Sequence, residues 1–186
     1  MGDPEAELVQ ELKEEKPGAF EKLFRSYWRR IMALALAAIP DTAEAEDAAI
    51  ETFADIARGI KKFRGEAKLS TYIYRIAMNR IAKHTRTRAR TIPTIPISAE
   101  LENAATTRSL EEEQEIKDEV IWLLKEINLL PRLQRQAVTL RHLLGLSLPE
   151  VAETLGVSTE VAGMRINRGI NRLRRIRQRC QKRSKR

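Results

Sequence analysis

One stretch constrains the fold more than any other: "LSLPEVAETLGVSTEVAGMRINR", running from Leu146 to Arg168. Leu148, Val151, Ala152 and Leu155 recur at three- and four-residue spacing and so share one helical face. Ser147 is a suitable N-cap, and Pro149 falls in the first turn, where its missing N–H is not needed. Gly156 supplies the left-handed residue that ends a helix. Ser158 then caps a second helix, with Glu160 in its first turn and Val161, Ala162 and Ile166 turned back toward the first. The spacing predicts a helix–turn–helix, with small Ala152 and Gly156 allowing close approach of the two helices.

The chain beyond the turn is basic. Arg165, Arg168, Arg172, Arg174, Arg175, Arg177, Arg179, Lys182, Arg183, Lys185 and Arg186 come after it with no acidic residue among them. The last handful reads as a solvated tail. Arg165, Arg168 and Arg172 lie one or two turns beyond the motif, where a second helix can enter a phosphate-lined major groove. The whole chain agrees: 186 residues carry a net charge of +8, which favours a polyanionic partner. The single cysteine, Cys180, rules out a disulfide framework. His84 and His142 are far apart and have no partners at metal-ligand spacing, so neither a metal nor another cofactor is expected. The polar, acidic start does not read as a signal peptide, and "IMALALAAI" is too short to span a bilayer. These features predict a cytoplasmic protein with no membrane insertion.

Charge is segregated along the chain. Residues 41–57 hold six acids and no base; residues 61–90 hold ten bases and one acid, Glu66. Phe20, Leu23, Phe24, Tyr27, Ile31 and Leu34 form an apolar helical stripe. Asp41 with Glu44 resembles a capping box that opens a second helix burying Ala49, Phe53, Ile56 and Ile60. Gly65 marks a loop, and a third helix is expected from Leu69 or Thr71 to about Arg88. Then "RTIPTIPISAELENAATTRS" interrupts the pattern. Pro93 and Pro96 forbid continuous helix there. Two further amphipathic helices with Pro131 between them lead into the helix–turn–helix. The expected architecture is all-α: two small helical domains, residues 1–90 and 116–186, joined by an extended, acidic linker over 91–115. The second domain holds the helix–turn–helix.

The third helix carries a second cationic feature. Lys68, Tyr72, Arg75, Asn79, Lys83 and Arg86 fall on one stripe of the wheel, while Ile73, Ile76 and Ala77 face elsewhere. Bases can neutralise phosphates, and an aromatic with an amide can engage an unpaired base. A half-buried Tyr72 among solvated bases explains the stripe equally well on this lobe alone. The acidic helix at 41–57 tips the balance, since a plain DNA binder gains nothing from it. An enzyme has no support: there is no nucleophile triad, no glycine-rich phosphate loop and no metal cluster, and no small-molecule substrate is expected. A stand-alone helix–turn–helix regulator that never touches polymerase explains the turn motif and the tail. It leaves the acidic helix, the stripe and the linker without a use, and no zipper or apolar dimer face is evident. An RNA binder would use the stripe and waste the turn motif.

Three segments, "EDAAIETFADI", "FRGEAKLSTYIYRIAMNR" and "LPRLQRQAVTLRHLLGLSLPEVAETLGVS", resemble in order and spacing the extracytoplasmic-function (ECF) group of bacterial RNA polymerase sigma factors. The resemblance covers roughly 18–90 and 117–177. It implies an alternative sigma factor: a non-enzymatic chain that binds core RNA polymerase and directs promoter recognition and DNA melting for transcription initiation. Glu46, Asp47, Glu51 and Phe53 would meet the β′ clamp helices. Phe63, Arg64 and Gly65 in the loop, with Lys68, Tyr72, Arg75, Asn79, Lys83 and Arg86, would bind the −10 element and a flipped base. Ser158, Thr159, Glu160, Met164, Arg165, Arg168 and Arg172 would read the −35 element, with the second domain seated on the β flap. The linker would thread the polymerase, and an anti-sigma factor is the implied regulatory partner, able to hold the chain at the membrane. This sequence departs from the family pattern at three places. Ile50 stands where a Gln is frequent, Tyr72 where a Trp is frequent, and "VAGMR" where "TVKSR" is frequent, so that Gly163 replaces a base at a cost of about 1 kcal/mol of helix propensity against Ala.

Overall fold

A computed structural model describes residues 4–88 and 122–183. The expected linker lies outside them. Every regular element among the described residues is helical, as the periodicity predicts. The first lobe holds α1 (Pro4–Lys13), α2 (Ala19–Leu36), α3 (Thr42–Gly59) with a 3₁₀ turn at Ile60–Lys62, and α4 (Leu69–Arg88). The second holds α5 (122–128), α6 (Arg132–Val138) running into a π-helical turn at Thr139–Leu143, α7 (Leu148–Leu155) and α8 (Thr159–Arg183).

Helices α2, α3 and α4 close on one another because small residues alternate with large ones on their facing stripes. Leu23 and Ile31 of α2, Ala45, Ala49 and Ile56 of α3, and Ile73 and Ala77 of α4 are fully buried. Phe24, Trp28 and Phe53 pack as a group, with the Phe24 and Phe53 ring centroids 4.7 Å apart. Phe20, expected in the buried stripe, sits at its edge, 40% exposed and edge-on to Phe53. Asp41 caps α3 by accepting from the Glu44 amide at 2.9 Å. Such a cap contributes about 1 kcal/mol.

The helix–turn–helix forms as the sequence predicts. Ser147 and Glu150 make a reciprocal capping box, Pro149 sits in the first turn, and Gly156 takes φ +64° to end α7. Ser158 then accepts from the Val161 amide. Ala152 is buried between the two helices as expected, but Gly156 adds nothing to their approach, and another glycine sets a separate contact. A Cβ on Gly156 would meet nothing within 4 Å, whereas one on Gly169 would lie 2.5 Å from Val138 Cγ2. Gly169 is what lets α8 lie against α6.

The two lobes are not held apart. Helix α7 packs on α4, and Asn128 Nδ2 donates to the Leu36 carbonyl at 3.2 Å. Buried side chains of both lobes belong to one connected apolar cluster, from Leu23 and Ile73 through Ile127 to Val151 and Ala162. No helix among the described residues is long and apolar enough to cross a membrane.

Candidate nucleic-acid interface

Helix α4 presents the predicted stripe. Lys68, Arg75, Asn79, Lys83 and Arg86 are exposed on one side, while Ile73, Tyr74 and Ala77 are buried on the other. Tyr72 is half-buried. Its ring lies 4.7 Å from that of Phe63, and its hydroxyl occupies the space where a side chain on residue 59 would begin, 2.5 Å from an ideal Cβ on Gly59. Burial raises the Tyr72 phenol above its ordinary pKa. Phe63 is itself buried, so the two rings expected to receive a base are engaged with each other. They brace the loop that carries Arg64, which is exposed, and Gly65, whose φ of +75° suits glycine.

Part of the stripe is covered. Lys68 Nζ lies 2.6 Å from Glu150 Oε1, Thr71 Oγ1 donates to Glu153 Oε2 at 3.5 Å, and Arg75 Nη2 donates to the Glu153 carbonyl at 2.8 Å. Glu150 has its carboxyl pKa lowered to about 2, first by the Lys68 ammonium and then by the Ser147 amide and hydroxyl.

Helix α3 presents the predicted acids. Glu46 and Asp47 are exposed, and between them and Glu51 stands Ile50, 51% exposed. Glu51 is tied down within the lobe. Its carboxylate accepts from Arg80 Nη1 at 2.9 Å and lies 2.9 Å from His84 Nε2, a contact that lowers its pKa first, with the Arg80 charge adding to it. Arg80 also pairs with Asp55, which Arg58 meets from its own helix. Phe53 corrects an expectation. At 3% exposed it lies in the aromatic core and has no face to offer a partner. The apolar residue on this surface is Ile50. Arg80 and His84 were missed as members of the site, because pairing across 29 and 33 residues leaves no local spacing signal.

Helix α8 turns Glu160, Met164, Arg168 and Arg172 outward, with Arg165 half-exposed and Met164 49% exposed. Thr159 Oγ1 donates to Glu160 Oε1, which, with the Ser158 cap, fixes the first turn. Asn167 and Asn171 share this outward face. They were also missed, though their spacing from Met164 and Arg168 was available. A Cβ on Gly163 would meet only the Leu148 methyls, at 4.0 Å, so packing does not require glycine there. Among the described residues no group of His, Cys, Asp or Glu is arranged to hold a metal ion.

A helical lobe with a cationic stripe beside an acidic helix, followed by a basic helix–turn–helix lobe, defines a two-lobe DNA-directed transcription factor. Comparison with known proteins specifies it. Residues 23–91 match the Sigma-70 region 2 family and residues 121–173 match Sigma-70, region 4. The RNA polymerase sigma-H factor of Pseudomonas aeruginosa is 30% identical over 160 residues, covering 82% of this chain and 83% of that protein. The ECF sigma factor SigM of Mycobacterium tuberculosis is 30% identical over 158 residues, 85% of this chain and 76% of its own. The ECF sigma-E factor of Escherichia coli K12 is 28% identical over 171 residues, 87% of each chain. The fold matches CnrH, solved in complex with the cytosolic domain of CnrY, at a TM-score of 0.71 and 18% identity, over 94% of this chain and 97% of that one. It also matches RpoE of Bartonella quintana, solved with the anti-sigma factor NepR, at 0.68 and 22%, over 87% and 98%. The chain belongs to the ECF group of RNA polymerase sigma factors and functions as an alternative sigma factor. The family is one of non-catalytic transcription-initiation factors that bind core RNA polymerase and promoter DNA.

Proposed function

We propose that the chain divides this task among three surfaces and performs no catalysis of its own. Residues 1–90 act as the polymerase-clamp and −10 module, 91–115 as the strap, and 116–186 as the −35 module. The observation that carries this division is the segregation of charge onto separate helices: an acidic outward face on α3, and basic faces on α4 and α8 in different lobes. Glu46 and Asp47, flanking exposed Ile50, dock on the β′ clamp helices. Glu51 is held by Arg80 and His84 and sets the rim of that surface rather than projecting from it. Arg64 and the α4 stripe take the phosphates of the opened −10 strand, on a loop braced by the Phe63–Tyr72 pair. Base flipping costs a few kcal/mol, and phosphate contacts together with the polymerase interface supply it.

On α8, Arg165, Arg168 and Arg172 contact phosphates or guanines of the −35 duplex. Met164 lies against a thymine methyl, and Asn167 or Asn171 is placed for an adenine edge. Ser158, Thr159 and Glu160 hold the start of this helix at the groove. The second lobe also seats on the β flap. The protein works in the cytoplasm, and an anti-sigma factor is its regulatory partner and the means of any hold at the membrane. The structural relative RpoE, solved with the anti-sigma factor NepR, supports an anti-sigma partner.

The test is co-elution with bacterial core RNA polymerase on a sizing column. The native chain is expected to elute stoichiometrically with core, and Asp47→Arg to elute free. Co-elution of the variant at full stoichiometry would remove the clamp assignment from α3.

A further inference from the structure

Where α6 faces α2 and α4, a crevice opens that takes no part in the three surfaces above. Its wall on the first lobe is aliphatic, with Leu34, Ala37, Met78 and Ile81; the Thr85 hydroxyl there is already engaged by the Ala82 carbonyl. Its wall on the second lobe is polar, with Arg132, Arg135 and Thr139. No described residue lining it is acidic. The polar wall carries donors that no acceptor among the described residues meets. The buried polar side chains among these residues are Thr52, Thr71, Thr139 and Thr154. The hydroxyls of Thr52 and Thr154 donate to carbonyls four residues earlier, and that of Thr71 to Glu153. Thr139, 2% exposed, has no partner for its hydroxyl among the described residues. It opens the π-helical turn that follows α6, a distortion often found at functional sites.

Arg135 lies one helical turn before Thr139. Its Nη1 donates to the carbonyl and the side-chain oxygen of Asn128, each at 3.1 Å, and Asn128 is itself anchored on the Leu36 carbonyl. The guanidinium is thereby fixed in orientation. The edge left over, Nε with Nη2, is one that takes both oxygens of a carboxylate, and its Nε is buried without a partner among the described residues. Burial, and then the neighbouring Arg132 charge, push Arg135 toward its neutral form. Buried donors without acceptors and like charges side by side are both costly, and one anion relieves both. We infer that the crevice is a binding site for a small aliphatic carboxylate, held by the Nε–Nη2 edge of Arg135 and the Thr139 hydroxyl, with its alkyl end toward Leu34, Met78 and Ile81. The crevice measures about 20 Å³ on a scale where one water needs about 10–15 Å³, which suits an acid of acetate size. A phosphate would set its remaining oxygens against the aliphatic wall, where they find no donor. The ligand acts as an effector: it touches both lobes and so favours their contact by mass action.

Methionine methyl NMR reads the site directly, because Met78 lines the crevice while Met164 stands on the outer face of α8. The full chain, labelled at its methionine methyl carbons, is titrated with sodium acetate at constant ionic strength, sodium chloride making up the balance. The Met78 methyl is expected to shift saturably and the Met164 methyl to stay in place. Arg135→Lys keeps the charge and loses the paired edge; Thr139→Val keeps the shape and loses the hydroxyl. Each is expected to weaken acetate binding by at least about tenfold, the range of a hydrogen bond to a charged group. Without acetate, Thr139→Val is expected to unfold in urea at the native midpoint or above it, since its hydroxyl has no partner to lose. Inorganic phosphate at the same ionic strength is expected to bind more weakly than acetate. An unmoved Met78 methyl, native affinity in both variants, or a lowered urea midpoint for Thr139→Val would each overturn the site. Phosphate binding as tightly as acetate would overturn its assignment to a carboxylate.

Discussion

The two basic faces of this protein differ in what covers them. On α4, Lys68 and Arg75 are engaged by α7 across the lobe boundary. On α8, Arg168 and Arg172 face outward, and the helix packs through its opposite side onto α6 and α7. Under the proposed division of roles, the difference matches the partner of each surface. A duplex is available before polymerase arrives, whereas an unpaired strand is useful only once polymerase has opened it. The lobes also differ in how a glycine sets their packing. Gly59 makes room for the far end of Tyr72, and Gly169 makes room for a methyl of β-branched Val138.

The last contrast gives the largest expected effect. Gly169→Ala puts a methyl against a stiff β-branched side chain, and overpacking of that kind costs about 1–3 kcal/mol. Gly59→Ala meets only a terminal hydroxyl, so the smaller loss is expected there. Urea unfolding of both variants checks the order, and a Gly59→Ala loss equal to or above that of Gly169→Ala would reverse it. Next come the cations. Arg168→Ala is expected to lower the salt slope of duplex promoter binding by about 0.9, one phosphate's worth. Arg75→Ala is expected to leave that slope unchanged in the free chain. A matching drop for Arg75 in a filter-binding titration would mean that α4 is as open to duplex as α8.

The aromatic brace comes third. Tyr72→Ala is expected to slow promoter opening, read by permanganate footprinting, while leaving polymerase co-elution intact. Tyr72→Phe, which keeps the ring against Phe63, is expected to restore opening. If Phe fails where Tyr works, the hydroxyl has a role beyond bracing the loop.

The smallest effect is in acid. Glu150 has a carboxyl pKa lowered from 4.5 to about 2 by the contact with Lys68. A depressed carboxylate contributes its stabilisation above the unfolded value and loses it as pH falls through the folded one. Interlobe energy transfer between dyes on the two lobes is therefore expected to fall between pH about 4.5 and about 2. Glu150→Gln should show no such Glu150 component. An identical acid transition in both proteins would locate the titration elsewhere.

Much of this was legible in the chain because it is written locally. Ser147, Glu150, Gly156 and Ser158 act within four residues of their targets, so capping and turn chemistry could be read from spacing. The α4 stripe and the α3 acids come from the 3.6-residue period, and both lie where the period places them. Phe53 shares the buried face of α3 with Ala49, Ile56 and Ile60 by its period alone, and its assignment to the polymerase surface came from the family resemblance; the rings of Phe24 and Trp28 close over it. Arg80 and His84 escaped notice because their partners lie on another helix. The closeness of Gly169 to Val138 depends on how α8 crosses α6, which no local pattern encodes.

By itself, then, the sequence determined the all-α class, the helix–turn–helix, the two basic surfaces and the acidic one. Each depends on interactions within one or two turns, which residue order dictates. Tertiary structure alone decided that the two lobes share one apolar cluster, that Glu51 is held by α4, and that the glutamates of α7 lie on the cations of the first lobe. Those contacts join residues far apart in the chain, 82 positions for Lys68 and Glu150 and 29 for Glu51 and Arg80, and their formation depends on how whole helices pack rather than on any spacing along the chain.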